Sequence, residues 1–335
     1  MNRKLLAITL FTASLYVTSC TEDDDYTYGV WERRSDFDGV ARSDAAGFMI
    51  DGNGYVCCGY DGKYRLNDLW EYNIDGDYWT QRASLPESAK CNSGVGFSIN
   101  GKGYITTGYD GSNYLAATWE YDPTINEWKS KDDFPKARYK ALAFAIGNYG
   151  YVGTGYDGNY QKDFYRFDPQ AAAGQQWEIV NGFGGQKRQG GTSFVIDDKA
   201  YICCGVNNGS YVYDFWCFDP STGVFTQLRD IADTSDDDYD DDYTSIVRAN
   251  AVSFVIDGKG YLVTGEYGSL LSNYWIYDPA TDLWEGEDLT AFEGSVRKNA
   301  VAFSTGTRGF VVTGQASSSY YDDTWELSPY EYEEE

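Results

Sequence analysis

The chain has 335 residues, a formal net charge of −26 at neutral pH and no histidine. So acidic a surface argues against nucleic-acid binding, because contact with phosphates needs a basic surface. Without histidine, neither a Ser–His–Asp set nor a Cys–His set can form, and the cysteine spacing is not that of a thiolate zinc site. The acidity suits a soluble domain that is held outside a cell.

The chain begins with a segment typical of a secretion signal. Met1–Lys4 is basic, and the apolar run 5–17 that follows is too short to cross a membrane comfortably. Val17–Cys20 resembles the bacterial lipobox, in which the cysteine is lipidated and becomes the new N-terminus. We therefore predict a lipoprotein signal peptide at 1–19 and lipidation of Cys20, with an ordinary signal and an incidental cysteine as the alternative.

An acidic tether is predicted at 20–28. Its run Glu22–Asp25 is similar to the surface-export signal of Bacteroidetes lipoproteins. Two other interpretations stay open, namely a solvated linker and a signal that avoids retention in the inner membrane. We therefore predict a lipid-anchored protein of the outer membrane or cell surface, and leave open which side of the membrane it faces.

Residues 29–328 repeat one pattern six times, with a period of roughly 50 residues. Each copy holds about four short stretches rich in Val, Ile, Tyr, Phe and Trp, separated by Gly, Asn, Asp and Pro, as expected for tight hairpins. One four-stranded sheet cannot bury its faces alone, so neighbouring copies must pack on each other through their aromatic side chains. The fold class is therefore all-β. Each copy carries a marker glycine after its second strand: Gly59, Gly108, Gly155, Gly205, Gly265 and Gly314.

The repeat resembles the kelch repeat, which implies a six-bladed β-propeller of four-stranded blades. The resemblance rests on the marker glycines, the Tyr-Asp-Gly loops, the third strands of the type Asn67–Trp70 and the recurring Asp-Pro turns. It departs from the family where the second strand usually ends in two glycines. Here the first of the two is replaced by Cys58, Thr107, Thr154, Cys204, Thr264 or Thr313.

The sixth copy stops after Leu327 without a closing aromatic strand, and the missing piece lies at the other end of the chain. Residues 29–35 match the segment around Trp128 that closes the second copy. We predict that a strand around Trp31 completes blade six and closes the ring, which removes exposed sheet edges. Residues 329–335 are then an acidic tail.

Five of the six copies carry an arginine 17 residues before the marker glycine, at the start of the first strand. This slot shares a face, the upper face, with the loop after the second strand. We expect a cationic ring around the channel mouth. In some kelch propellers arginines at this slot bind acidic peptides or acidic sugars, so the resemblance implies a ligand site. The slots hold Arg42, Cys91, Arg138, Arg188, Arg248 and Arg297.

The loops after the second strands are expected to contribute to the same site. Tyrosines beside charged groups suit sugar recognition, through ring stacking and charge-assisted hydrogen bonds. In the alternative, each arginine pairs with a neighbouring loop acid and only ties the blades together. The candidate loop residues are Tyr60, Asp61, Tyr109, Asp110, Tyr156, Asp157, Glu266 and Tyr267.

The link between blades four and five is long and rich in aspartate over 233–242. Its spacing does not match a calcium loop, which needs alternating ligands, a glycine turn and a distal glutamate. A solvated loop, a weak calcium site and an acidic flap over the arginines all stay open, so the identity of any metal ligand is unknown.

These features predict a lipid-anchored binding or interaction module of the cell envelope. Its partner would be an anionic glycan or an acidic peptide bound at the upper face, and no cofactor and no catalytic residue is assigned. Copper radical oxidases of the kelch type need histidine ligands and are excluded. A sialic-acid epimerase also has a six-bladed kelch fold, so a carbohydrate-active enzyme of that kind is the alternative, and catalysis is left undecided.

Overall fold

The computed structural model describes residues 26–334, with side chains from 27 to 332. The predicted signal peptide, Cys20 and the acidic run 22–25 lie outside these residues. The described chain forms six four-stranded antiparallel sheets that follow one another around a central channel, so the predicted all-β six-bladed propeller is confirmed. None of the helices within 26–334 is long and apolar enough to span a bilayer.

Each blade runs from its first strand at the channel to its fourth strand at the rim. Blade one contains Ala46–Ile50, Asn53–Cys57, Leu69–Asn73 and Tyr78–Arg82. Blade two contains Val95–Ile99, Lys102–Thr106, Thr118–Asp122 and Glu127–Lys131. Blade three contains Leu142–Ile146, Tyr149–Gly153, Phe164–Phe167 and Trp177–Val180.

The other three blades follow the same plan. Blade four contains Thr192–Ile196, Lys199–Cys203, Trp216–Asp219 and Val224–Gln227. Blade five contains Val252–Ile256, Lys259–Val263, Trp275–Asp278 and Leu283–Glu285. Blade six contains Val301–Ser304, Gly309–Val312, Thr324–Glu334 and, from the start of the described chain, Tyr26–Arg34.

Short elements connect these strands. Small hairpins follow the second strands of blades four, five and six, and two single-turn 3-10 helices lie in the links after blades one and four. The hairpins pair Val206–Asn207 with Ser210–Tyr211, Glu266–Tyr267 with Ser269–Leu270, and Gln315–Ala316 with Ser319–Tyr320, and the helices are Glu87–Ala89 and Asp238–Asp240.

A repeated aromatic contact explains why the sequence alternates glycine with tyrosine in the second strands. In blade one, Phe48 stacks on its cross-strand partner Tyr55 with ring centroids 5.1 Å apart. The edge of Phe48 also lies over Gly103 of the next blade, where an added Cβ would come within 2.2 Å of the ring. The glycine therefore leaves space for the aromatic core between blades. It recurs at the same position of other repeats because these blades pack on their neighbours in the same way.

The ring closes as predicted. Tyr26–Arg34 pairs antiparallel with Thr324–Glu334, and Trp31 lies opposite Leu327. Trp31 is only 2% exposed and meets Phe292 edge to face at 4.8 Å. Blade six is thus built from both ends of the described chain.

Strand pairing continues past the predicted propeller limits of 29 and 328. Tyr26 pairs with Glu334 at the far end of the ribbon, so parts of the predicted tether and tail are strand. Tyr330 donates a hydrogen bond from its hydroxyl to Asp257 Oδ2 at 2.8 Å. Asp257 lies in the first hairpin turn of blade five, which belongs to the lower face, and this contact places the ribbon there.

Candidate functional site on the upper face

All five slot arginines are fully buried, with 0% of each side chain exposed. The structure therefore differs from the expectation of an exposed cationic ring. The reason is that each guanidinium turns into its own blade and finds acceptors there, because a charged group is buried only when it is paired. The residues are Arg42, Arg138, Arg188, Arg248 and Arg297.

The partner of the arginine is an aspartate at the start of the third strand. Arg42 Nη1 and Nη2 donate to the two carboxylate oxygens of Asp68 at 2.6 and 2.8 Å, and Nη1 also donates to the carbonyl of Cys58 at 2.9 Å. Burial by itself would raise the pKa of Asp68, but its hydrogen bonds with Arg42 outweigh burial and hold that pKa below its usual value. The same pairs form at Arg138–Asp163, Arg188–Asp214 and Arg297–Asp323, while Asn273 faces Arg248.

Sequence reasoning missed these aspartates, although a signal was present. Each follows its arginine by 25 or 26 residues and stands one or two residues before the third strand. The loop acids proposed as partners instead fold their own hairpins. Asp61 accepts hydrogen bonds from the backbone N–H groups of Lys63 and Tyr64, and Asp110 and Asp157 accept equivalent bonds in their loops.

A closed ring of backbone hydrogen bonds surrounds the upper mouth of the channel. Its members stand two residues after each arginine slot and have left-handed backbones, with φ between 50° and 63°. The N–H group of each donates to the carbonyl of its equivalent in the preceding blade, at 2.7 to 3.1 Å. We call these residues the mouth ring: Asp44, Ser93, Lys140, Gly190, Asn250 and Asn299.

The marker glycines form a second ring of bonds just outside the mouth ring. Gly59 N–H donates to the carbonyl of Cys91 at 2.8 Å, and the other five marker glycines make the equivalent bond to the slot residue of the next blade. Gly59 has φ of 105°, and a Cβ there would lie 2.9 Å from the carbonyl oxygen of Ser43. Glycine is required at this point because both the backbone angle and the close approach exclude a side chain.

The side chains of the mouth ring place a lysine at the centre of a polar network. Lys140 Nζ donates to Asn250 Oδ1 at 2.7 Å and to Asn299 Oδ1 at 3.3 Å, and it lies 3.8 Å from Asp44 Oδ1. Asp44 also accepts a hydrogen bond from Ser93 Oγ at 2.9 Å. This cluster was not singled out from the sequence, and it presents an ammonium, two amides and a carboxylate at the mouth.

Glu266, which was predicted as a site residue, extends this network. It accepts hydrogen bonds from Asn250 Nδ2 at 2.9 Å and from Lys298 Nζ at 2.7 Å. Tyr267 beside it is exposed and packs against Tyr211, with ring centroids 4.7 Å apart. The structure thus brings Glu266 to the mouth and leaves Tyr267 on the surrounding surface.

A cluster of tyrosines lies beside the mouth ring over blades two and three. Tyr114 stacks on Tyr139 with centroids 5.4 Å apart, and it is 37% exposed. Burial raises the pKa of the Tyr139 hydroxyl above its ordinary value. We call this cluster the tyrosine platform: Tyr109, Tyr114, Tyr139, Tyr156 and Tyr160.

Arg65 extends the platform towards blade one. Its guanidinium carbon lies 4.9 Å from the ring centroid of Tyr60 and 5.0 Å from that of Tyr109. It also donates from Nε to Asn92 Oδ1 at 3.0 Å. Tyr60 and Tyr109, both predicted as site residues, are therefore brought together with a cation that was not singled out from the sequence, and Tyr156, also predicted, lies in the platform against Tyr114.

The channel itself is narrow. Its wall consists of the first strands. At the starts of these strands, which contribute mainly glycine, alanine, serine and valine, the channel encloses a cavity of about 210 Å³. Pockets that enclose small-molecule ligands usually measure about 300 to 1,000 Å³. The upper mouth and its surroundings are therefore better suited to a sugar than the channel interior.

The acidic link after blade four packs at the rim of blade five. Asp240 is buried and accepts hydrogen bonds from the backbone N–H groups of Thr234 and Ser235, both at 3.0 Å. Tyr243 receives a hydrogen bond from the N–H of Trp284, in the outermost strand of blade five. These contacts hold the link at the rim of blade five, so it does not form an acidic flap over the arginines. Asp233, Asp240 and Asp241 bring carboxylate oxygens within 4.8 Å of one another, but Asp240 serves to hold the loop together.

Comparison with known proteins agrees with this architecture. A family model described as the Kelch motif matches residues 187–230. The solved structure described as that of YjhT is similar to this chain, with a TM-score of 0.71 and 14% sequence identity, over 86% of this chain and 95% of that one. No curated protein matches the chain. At this identity the likeness to the solved structure concerns the fold alone.

The described chain has the architecture of a six-bladed β-propeller. It consists of six four-stranded blades in a ring that the first described strand closes, and one face carries a polar mouth. The repeated marker glycines and the match to the motif model narrow the class further. The chain is a six-bladed β-propeller that carries a Kelch motif at residues 187–230.

Proposed function

We propose that the protein is a binding module of the cell envelope whose upper face recognises an anionic glycan. The observation that carries this proposal is the position of Lys140, which lies in the mouth ring directly after Tyr139 of the tyrosine platform. Aromatic rings offer a stacking surface to the apolar face of a sugar, and an ammonium group pairs with its carboxylate.

Each part of the face has a role in this proposal. The exposed ring of Tyr114 stacks against a sugar ring, while the amides of Asn250 and Asn299 hydrogen-bond to hydroxyl groups. Lys140 and Arg65 supply the positive charge that the buried arginines cannot present. The buried arginines act indirectly, because their pairs fix where the loops after the second strands leave each blade.

Anchoring through a lipid on Cys20 is part of the same proposal. Only five residues separate Cys20 from Tyr26, where the described strand begins, and the connection spans at most ~20 Å when extended. Tyr26 pairs with Glu334 at the lower-face end of blade six. An anchor there leaves the upper face directed away from the membrane and open to a glycan.

A carbohydrate-active enzyme, such as one similar to the sialic-acid epimerase, is the second candidate. The observation that favours it is the pair formed by Lys140 and Asp44, whose charged atoms lie 3.8 Å apart at the mouth. Two titratable groups so placed could pass a proton to and from a bound sugar. In that case the same face would bind its ligand and also change it.

The test is an array of glycans and peptides probed with the soluble protein from residue 21. We expect binding to acidic glycans that is lost in Lys140→Ala and in Tyr114→Ala. Tyr78→Ala is the matched control, because this tyrosine is also exposed but lies in the outermost strand of blade one. Binding to acidic peptides only, or binding that survives both upper-face changes, would contradict the proposal.

The enzyme alternative needs a second readout on the same ligand. The glycan identified on the array is incubated with the protein, and its proton NMR spectrum is followed over time. Interconversion of sugar isomers that stops in Asp44→Asn would establish catalysis. An unchanged spectrum, with binding intact, would leave the protein as a binding module.

A further inference from the structure

Blade two lacks both halves of the arginine–aspartate pair that recurs in other blades. Cys91 occupies the arginine slot, since Gly59 N–H donates to its carbonyl at 2.8 Å just as Gly314 N–H donates to that of Arg42. Ala117 stands 26 residues further on, the separation at which Asp68 follows Arg42. The cation and its counter-ion are thus replaced together by two small side chains.

The replacement leaves a cavity of about 150 Å³ in blade two. Most of the wall is buried and apolar, while Ser88 at its edge is exposed, so the cavity is open to small molecules from solvent. The residues that matter for its chemistry are Leu85, Cys91, Ile105, Thr107, Ala117 and Trp119.

One polar group of the wall has no hydrogen-bond partner. In blade one the indole N–H of Trp70 donates to Asp68 Oδ2 at 2.8 Å, and in blade six Trp325 donates to Asp323 in the same way. The equivalent Trp119 Nε1 is buried and has no hydrogen-bond partner among the described residues. A buried donor without an acceptor is costly, and a ligand with an acceptor would remove that cost.

The cavity also offers an acceptor in the place of the missing guanidinium. In blade one the carbonyl of Cys58 accepts a hydrogen bond from Arg42 Nη1. Thr107, 16 residues after Cys91, is the equivalent of Cys58, and this residue lines the cavity. A hydrogen bond with Cys58 and burial raise the pKa of the Cys91 thiol, so the wall is uncharged.

We propose that this cavity is a binding site for small neutral hydroxyarenes, of which phenol is the simplest. A cavity of about 150 Å³ with apolar walls is large enough to hold benzene. The phenol oxygen accepts from Trp119 Nε1, and its O–H group donates to the carbonyl of Thr107. A charged ligand is disfavoured, because it would lose its hydration without meeting an opposite charge.

The experiment follows the indole N–H signals of the ¹⁵N-labelled protein during titration with phenol and, separately, with benzene. The signal of Trp119 is assigned as the one that disappears in Trp119→Phe. We expect phenol to shift this signal in the wild-type protein and to bind about five- to tenfold more tightly than benzene, which is the contribution of one neutral hydrogen bond. In Trp119→Phe the ratio of the dissociation constant of benzene to that of phenol should fall to less than half its wild-type value.

Filling the cavity provides the second arm. Ala117→Leu should abolish the binding of both probes, whereas Ala172→Leu, at an exposed alanine of blade three, should leave it unchanged. If Ala117→Leu fails to fold, Cys91→Arg with Ala117→Asp restores the pair of the other blades and should also abolish binding. A wild-type protein that does not bind phenol, or one whose binding persists in a folded cavity-filled variant, would overturn the proposal.

Discussion

Arg42 and Asp68 form a bidentate ion pair inside blade one, with both nitrogen–oxygen distances below 3 Å. The pair joins the start of the first strand to the start of the third, and Arg42 is held further by the carbonyls of Val40 and Cys58. Its guanidinium also lies 4.8 Å from the ring centroid of Phe37. The arginine is therefore a structural tie between parts of one blade that are distant in sequence.

Removing only one partner of this pair should be more harmful than removing both. Asp68→Ala leaves Arg42 buried without its counter-ion, and we expect a loss of about 3–5 kcal/mol in the free energy of unfolding. Arg42→Cys with Asp68→Ala copies the composition of blade two and should lose less than Asp68→Ala alone. Urea denaturation of the two single variants, the double variant and the wild type measures the coupling. Additive losses would contradict the prediction.

Stability should fall in acid, in part through these pairs. The pKa values of Asp68, Asp163 and Asp323 lie below their usual range, because hydrogen bonds from arginine outweigh the effect of burial. A lowered pKa in the folded state stabilises the protein above the unfolded pKa of about 4, and this contribution is lost as pH falls through the folded pKa. Asp68→Asn should therefore lose less stability between pH 5 and pH 3 than the wild type does.

The measurement is the urea midpoint at several pH values across that window. Asp236→Asn, at an exposed aspartate of the link after blade four, is the matched control and should follow the wild-type curve. An Asp68→Asn curve parallel to that of the wild type would show that the pair does not contribute to the acid dependence.

Closure by the first described strand should be essential for stability. Trp31→Ala removes a buried side chain from the contact with Phe292 and should cost about 3–5 kcal/mol. Tyr28→Ala changes an exposed residue of the same strand and should cost less than 1 kcal/mol. Thermal unfolding and sedimentation of a protein that lacks residues 21–35 complete the test. A shortened protein with unchanged melting that stays monomeric would be incompatible with closure.

Replacing the residue before the marker glycine of blade six by glycine should increase the stability of the protein. Thr313 is buried with φ of 61°, and its hydroxyl has no partner among the described residues. Thr313→Gly relieves the left-handed strain and removes the unsatisfied hydroxyl, so we expect a gain of roughly 1 kcal/mol. Val312→Gly, one residue earlier in the strand, should instead destabilise the protein. Differential scanning calorimetry of both variants compares them, and a lower melting temperature for Thr313→Gly would refute the argument.

Membrane attachment should depend on Cys20 alone. Cys20→Ala removes the thiol that would carry the lipid at the lipobox position, and the protein should then appear in the soluble fraction. Ser19→Ala keeps the thiol and should remain with the membrane. The distribution is read by fractionation and immunoblotting. A Cys20→Ala protein that still sediments with the outer membrane would mean that another feature anchors it.

The fold could be predicted from the sequence because contacts between strands and blades require particular residue types at fixed spacings. The glycine that receives the edge of Phe48 and the strand around Trp31 that fills a gap in blade six both leave a residue type at a fixed spacing. The burial of the arginines could not be predicted so easily, because a recurring charge suggests a surface. The evidence for burial was the aspartate 25 or 26 residues later, and only the fold shows that the two positions meet.

The mouth ring was hidden for a different reason. Its six members have unlike side chains, and what they share is a left-handed backbone and a bond to the neighbouring blade. The residue types at these positions do not reveal such a backbone feature. The position of Lys140 at the mouth therefore became visible only when the blades were placed around the channel.

The mouth ring also has an electrical consequence. All six of its N–H to C=O bonds run in the same sense around the channel, so the peptide dipoles follow one another head to tail in a closed circle. Dipoles arranged in this way cancel, whereas those of an α-helix add up along its axis. The backbone of the mouth ring therefore does not favour a ligand of either charge. Any such preference comes from the few side chains at the opening, and one or two substitutions there would reverse it.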